Sequence, residues 1–249
     1  MHYLLVINPE KTHLMVLGGK KDCGQSVSIM VGGCNIEASK TETLLGGQFH
    51  HSLKWNYHIL ESGSSLIRQL TNRNNGLKRV CRYAFFKTKL MLANGAIHSK
   101  LVYLITLWGG AQQYLLEALQ VQQLIAARTV CGRQSWRWSR SQLLKKVGWL
   151  SVRQLVEYYT ILQAHKILTT GRPAILYDSL TSGQIHPYST RSVANGNIRL
   201  PTNTSKRRFM NRAMLCYNQV PASIKVGTIG TVKKKLKTWI KENVPLDFR

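Results

Sequence analysis

Acidic side chains are what this chain has least of. Its 249 residues hold 10 Asp and Glu against 35 Lys and Arg, a formal charge of +25. The three aspartates, Asp22, Asp178 and Asp247, are widely separated, no two acids adjoin, and neither D-D nor D-x-D occurs. Phosphoryl chemistry with two divalent ions needs clustered carboxylates, so the pattern argues against a self-contained polymerase centre, and no cofactor is expected in this chain. Long apolar runs are missing too. The longest, Leu101 to Ala111, is too short to cross a bilayer, and the start MHYLLVI has no basic leader. An intracellular protein of nucleus or cytoplasm, without a membrane partner, is expected. The five cysteines lack C-x-x-C spacing, which suggests neither a disulfide framework nor a zinc ribbon. His50, His51 and His58 with Cys23 and Cys34 do not match zinc spacing either, and His50 and His51, as neighbours on a strand, are expected to point to opposite faces. No metal site is expected.

What is present is a globular composition, 44% hydrophobic and 18% charged. The charge is unevenly laid out. Residues 1–62 carry five basic and five acidic side chains, while the remainder carries 30 basic residues against Glu117, Glu157, Asp178, Glu242 and Asp247. A field of one sign this extensive points to a polyanion such as RNA, DNA or an RNA–DNA hybrid. A merely solubilising excess, or an anionic membrane surface, ranks below it.

The patterning predicts an α+β chain, with a small antiparallel sheet followed by a mostly helical basic body. In NPEKTHLMV, Asn8 can cap, Pro9 suits a first helical position, and the apolar run Leu14 to Leu17 is expected as a buried strand. VSIMV and CNIEAS flank Gly32-Gly33 as a two-residue hairpin, and TETLLGG supplies a third strand. From about Leu66 the period lengthens to that of helices. Tyr114, Leu115, Ala118, Leu119, Gln122, Ile125 and Ala126 form one stripe, with Gln113, Glu117 and Gln120 opposite. Val152, Leu155, Val156, Tyr159 and Leu162 form another, and Val232, Leu236, Trp239 and Ile240 back a lysine-rich helix that ends before Pro245. Gly171 to Ser205 is expected to hold no rigid helix. Three regions are expected: 1–62, 63–170 and 171–249.

The order of these blocks resembles the C-terminal part of reverse transcriptases of non-LTR, LINE-type (jockey-like) retrotransposons. NPEKTHLMV is similar to the turn and strand after the catalytic strand of that family. LLGGQFHHSLKWNYHI (Leu44 to Ile59) resembles the block with its primer-grip hairpin. IHSKLVYLITLWGG, LEALQVQQLIAARTVCG and VGWLSVRQLVEYYTILQAHKIL resemble the helical thumb and the region after it, and YSTRS, RRFMNRAMLCYNQVPASI and TVKKKLKTWI its tail. Two departures are Val232, where the family usually has an aromatic, and the lack of a terminal Cys/His knuckle. The resemblance implies an RNA-directed DNA polymerase as parent, with magnesium held by aspartates that precede the N-P-E-K-T block. The chain is accordingly expected to begin inside the palm, as an inactive fragment retaining at most non-specific nucleic-acid binding. A decayed product without function and a domesticated RNA-binding or assembly module are the alternatives.

The resemblance also implies residue roles. Lys11 corresponds to a palm-loop lysine near nucleotide phosphates, here vestigial, and a plain surface lysine is the favoured account. Leu45, Gly46 and Gly47 are primer-grip-like, with an ordinary turn as the plain alternative. From the residues themselves, Arg68, Arg73, Lys78, Arg79, Arg82, Lys87 and Lys89 form an acid-free stretch suited to tracking a backbone. Arg133, Arg137 and Arg140 alternate with Trp136 and Trp138, a composition for phosphate pairing and base stacking. An equal alternative has both tryptophans anchoring the loop.

Overall fold

A computed structural model describes residues 7–17, 27–181, 198 and 209–246. The chain divides into two compact units, residues 1–69 and 70–249. The class is α+β, with small antiparallel sheets first and helices after.

The first unit opens on a 3-10 turn, Pro9–Lys11. Asn8 caps it, its Oδ1 accepting from Glu10 N at 3.0 Å. The expected strand at Leu14 to Leu17 does not form. Leu14 makes a single parallel bridge to Ala38, and Leu17 is exposed. A ladder needs a partner along its length, and here the partner is limited to the stretch around Ala38 and Ser39. Next come two hairpins in separate two-stranded sheets, where one sheet was expected. Strand β1 (Ser28–Val31) pairs with β2 (Cys34–Glu37), and β3 (Thr41–Leu44) with β4 (Gly47–His50). Each turn needs two residues at positive φ. Gly32 and Gly33 supply them at 56° and 83°, Leu45 and Gly46 at 49° and 72°. Such a turn matches the right-handed twist of its strands, but Leu45 holds its φ against its own Cβ. Behind β4, the π-helical turn Tyr57–Glu61 buries His58 and Ile59.

Helix α1 (Leu66–Val80) starts where the period lengthens and runs into the second unit. It is followed by α2 (Phe86–Ala93), a π-helical turn (Asn94–His98), the short α3 (Ser99–Val102) and α4 (Ile105–Trp108), and the long α5 (Gln113–Cys131). Then come α6 (Arg140–Val147), α7 (Val152–Thr170), α8 (Ala174–Thr181), α9 (Phe209–Gln219), α10 (Ala222–Lys225) and α11 (Ile229–Asn243). Helix α8 corrects the expectation of no helix after Gly171. Gly171 closes α7 at φ 66°, and Pro173 then begins a new helix that buries Leu180, while residues 182–197 and 199–205 lie outside the described residues. YSTRS and the basic residues Arg191, Arg199, Lys206, Arg207 and Arg208 lie outside them as well.

The core of this unit runs along α5 and α7, with α9 and α11 laid against α7. The predicted stripes are buried at Leu115, Leu119 and Ala126, at Val152, Leu155 and Val156, and at Val232, Leu236 and Ile240. Gln120 corrects its placement on the solvent side, for it is buried. Its Oε1 accepts from Val152 N at 2.7 Å, and its Nε2 donates to Gln123 Oε1 at 2.9 Å. Gln123 Nε2 in turn donates to Leu150 O at 2.8 Å. A buried corner between α6 and α7 has backbone groups that water cannot reach, and two glutamines satisfy them. Among the described residues no helix is long and apolar enough to cross a membrane.

Candidate nucleic-acid interface

The inner face of α1 holds Leu70, Asn74 and Leu77 in the core, and Asn74 Nδ2 donates to Gln122 O at 3.1 Å and Gln122 Oε1 at 3.0 Å. That fixes which side faces out. Asn72, Asn75, Lys78 and Arg79 stand exposed. Arg73 is also exposed but is partly committed elsewhere, since its Nη1 donates to Ala96 O at 2.8 Å. Cys81, buried, ends the inner face, and its thiol is pushed up by burial against the opposing pull of Lys89. Immediately after it the chain turns aromatic side chains outward. Tyr83 is 87% exposed, Phe85 86%, and the Arg82 guanidinium lies 5.6 Å from the Tyr83 ring centroid.

The second segment is held by a residue that neither account of it named. Ser135, not the tryptophans, is fully buried, and its Oγ donates to Gly132 O at 2.6 Å. The 3-10 turn Arg133–Arg137 hangs on that anchor. Trp136 is 72% exposed, with the Arg128 guanidinium 5.6 Å from its centroid. Trp138 is half-buried beside Gln142, Lys145 and Lys146 in a shallow depression. Ser139 then starts α6 with a reciprocal cap, its Oγ accepting from Gln142 N at 3.3 Å while Gln142 Oε1 accepts from Ser139 N at 2.8 Å. Arg133, Arg137 and Arg140 are exposed.

The two segments meet. Lys146 Nζ on α6 lies 5.8 Å from the centroid of Phe86, the first residue of α2. The stretch Arg82–Lys89 and the stretch Arg133–Lys146 therefore touch at Phe86 and Lys146, and Lys87 stands exposed next to Phe86 on α2. From residue 62 to 156 the only acid is Glu117. Lys145, Lys146 and Arg128 are members that sequence reasoning missed. The signal available was their spacing, since Lys145 and Lys146 fall on the exposed face of the α6 turn that comes after the tryptophans.

The remaining candidates lie in the first unit and are described by themselves. Lys11 is exposed in its capped turn. Arg68 is exposed in the first turns of α1. Leu45 and Gly46 form the β3–β4 turn and Gly47 opens β4, so the tight hairpin is present, tipped by an exposed Leu45. His58 Nδ1 accepts from Gln48 N at 3.2 Å, which ties β4 to the π-helical turn. His50 and His51 correct their expected placement on opposite faces. His50 ends the strand, and the two rings pack 4.3 Å apart. Burial and the His51 ring lower the His50 pKa. Among the described residues no three His, Cys, Asp or Glu side chains are grouped to hold a metal ion, while Cys23 and Asp22 lie outside those residues.

Compared with known proteins, the chain matches no family model, no curated protein and no solved structure.

Proposed function

We propose that the chain binds nucleic acid without sequence preference through the face built from Arg82–Lys89 and Arg133–Lys146, as the thumb-like part of a retrotransposon reverse transcriptase of the kind it resembles. One observation carries the reading. The Lys146–Phe86 contact joins two separate stretches of basic and aromatic residues, where no carboxylate intervenes in the sequence of either. Cations position a phosphate backbone, and exposed rings stack on unpaired bases of any sequence. Cation–π contacts at Tyr83 and Trp136 hold guanidinium groups beside those rings.

The test is binding measured against salt. Each neutralised phosphate releases condensed counterions, so five or more contacts give a log–log slope of about −4 or steeper on a duplex. Reversing the charge of Arg79, Arg82, Lys87 and Lys89 together is expected to flatten that slope more than reversing Lys233, Lys234 and Lys235 of α11. Tyr83→Ala and Trp136→Ala are expected to weaken single strands by about 1–3 kcal/mol each. The opposite ranking of the two charge sets, or binding indifferent to salt, would remove this face from the account.

A second reading, a product without function, is favoured by the first unit. Met30, Leu44 and Leu45 are all more than half exposed on its hairpins, and apolar surface left open is a liability unless a partner covers it. A monodisperse, cooperatively folding sample would count against that reading.

A further inference from the structure

A cavity of about 360 Å³ opens in the second unit between the π-helical turn Asn94–His98, the α6–α7 corner, α7 and α11. Part of its wall is apolar, from Val147, Leu150 and Leu155. Around it stand polar groups that the fold leaves unused. Trp149 Nε1 donates to Asn94 Oδ1 at 2.8 Å. An indole N–H can only donate, so the asparagine oxygen is fixed toward it and the amide NH2 keeps two free donors. His98 lies against Trp149 with ring centroids 5.7 Å apart, and its nitrogens bond no other described residue. The hydroxyls of Tyr158 and Tyr159, whose rings meet edge-on at 5.0 Å, are likewise unpartnered among the described residues. So is the ammonium of Lys237, and no carboxylate among the described residues lines the cavity.

Asn94 and Lys237 are open to solvent, so an incoming ligand can reach them, and a concave site that brings a few polar groups together beside apolar and aromatic side chains is a form that small-ligand sites take. These donors ask for an acceptor-rich, negatively charged ligand, and the aromatic wall asks for a flat one. A bare anion would leave the apolar wall uncovered, and a neutral ring would gain nothing from the exposed Lys237 ammonium. The turn that presents Asn94 and His98 is π-helical, a widened element that concentrates at functional sites.

We propose that this cavity binds one nucleotide unit, its phosphate held by Lys237, Asn94 and His98 and its base laid against the aromatic wall. The inference rests on the nucleic-acid reading above, because the unit is either a free mononucleotide or the unpaired, 5′-phosphorylated end of a bound strand. Burial first, and the Lys237 charge second, hold the His98 imidazole below its ordinary pKa. A phosphate placed beside it adds negative charge and raises that pKa.

The experiment tracks the His98 ring and the Trp149 indole N–H of the full chain by NMR during separate additions of 5′-AMP, adenosine and inorganic phosphate. 5′-AMP is expected to shift both signals saturably and to raise the His98 pKa, with adenosine and phosphate each binding about tenfold or more weakly. Lys237→Ala is expected to weaken 5′-AMP by about tenfold or more, and Tyr159→Phe, which keeps the ring, by a smaller factor. No response to 5′-AMP, or phosphate binding as tightly as 5′-AMP, overturns the inference. An oligonucleotide with an unpaired end identifies the source. Displacement of 5′-AMP by its 5′-phosphorylated form alone assigns the cavity to a strand end, and failure of both forms to displace it assigns the cavity to a free mononucleotide. Salt-dependent duplex binding beside a silent cavity removes this inference only, whereas 5′-AMP binding without duplex binding removes the interface reading.

Discussion

His165 sits buried on α7, its Nδ1 3.3 Å from the Tyr217 hydroxyl and its Nε2 without a partner. Burial lowers its pKa below the ordinary 6.5. The unfolded chain therefore takes up a proton at a pH where the folded chain still refuses it. Stability that is present above pH 6.5 is lost as the pH falls from there toward the depressed folded value. His98 contributes with the same sign. Glu157 acts oppositely, because burial raises its pKa above 4.5 in spite of Arg153, 3.5 Å away, so its carboxyl costs stability as pH rises through that range. His165→Phe is expected to flatten the fall in urea midpoint between pH 7 and 5 relative to the parent chain. An unchanged slope would assign the acid sensitivity to other groups.

At the scale of elements, the α6–α7 corner depends on polar side chains from α5. Gln123→Ala leaves Leu150 O and Gln120 Nε2 without their bonds, and an unsatisfied buried group costs about 1–3 kcal/mol. Denaturant unfolding of that variant should show a loss of this size, while Gln113→Ala, on the exposed side of the same helix, should cost far less. These glutamines also mark where the sequence stops being legible. Leu66 as the start of helix, Asn8 and Pro9 as a cap and first turn, and the Gly32-Gly33 hairpin could all be read because their causes are local. Gln120 could not, since its burial is decided by a corner 32 residues away in the chain. Gly109 is similar in part. A Cβ there would come within 2.5 Å of Ile105 O in its own helix and within 2.7 Å of Val156 Cγ1, and the second of these lies on another helix. Most basic residues of the proposed interface were individually visible in the sequence, Arg128, Lys145 and Lys146 excepted. Their union was not, because it rests on Phe86 meeting Lys146 across two helices.

For the whole molecule, the two units are built on unequal foundations. The hairpins of the first are two-stranded and bury only Gly47 of their strand residues, whereas α5 and α7 carry the long buried faces of the second. Local opening is easiest where few apolar contacts close a hydrogen bond. Amide exchange is expected to be fast over residues 27–59 and slow over Gln113–Cys131 and Val152–Thr170. Equal protection in both would mean that the hairpins draw stability from more than their own strands.

The scarcity of carboxylates has a further consequence, one of stoichiometry. At +25 the chains repel one another, and on the proposed reading a bound single strand of about 25 nucleotides, at one charge per phosphate, would bring that repulsion to zero. Below this ratio each chain would remain cationic and would bridge to another strand; above it, each would be coated and anionic. Between the two lies a narrow composition at which exposed rings such as Tyr83 and Phe85 are free to bring neutralised particles together.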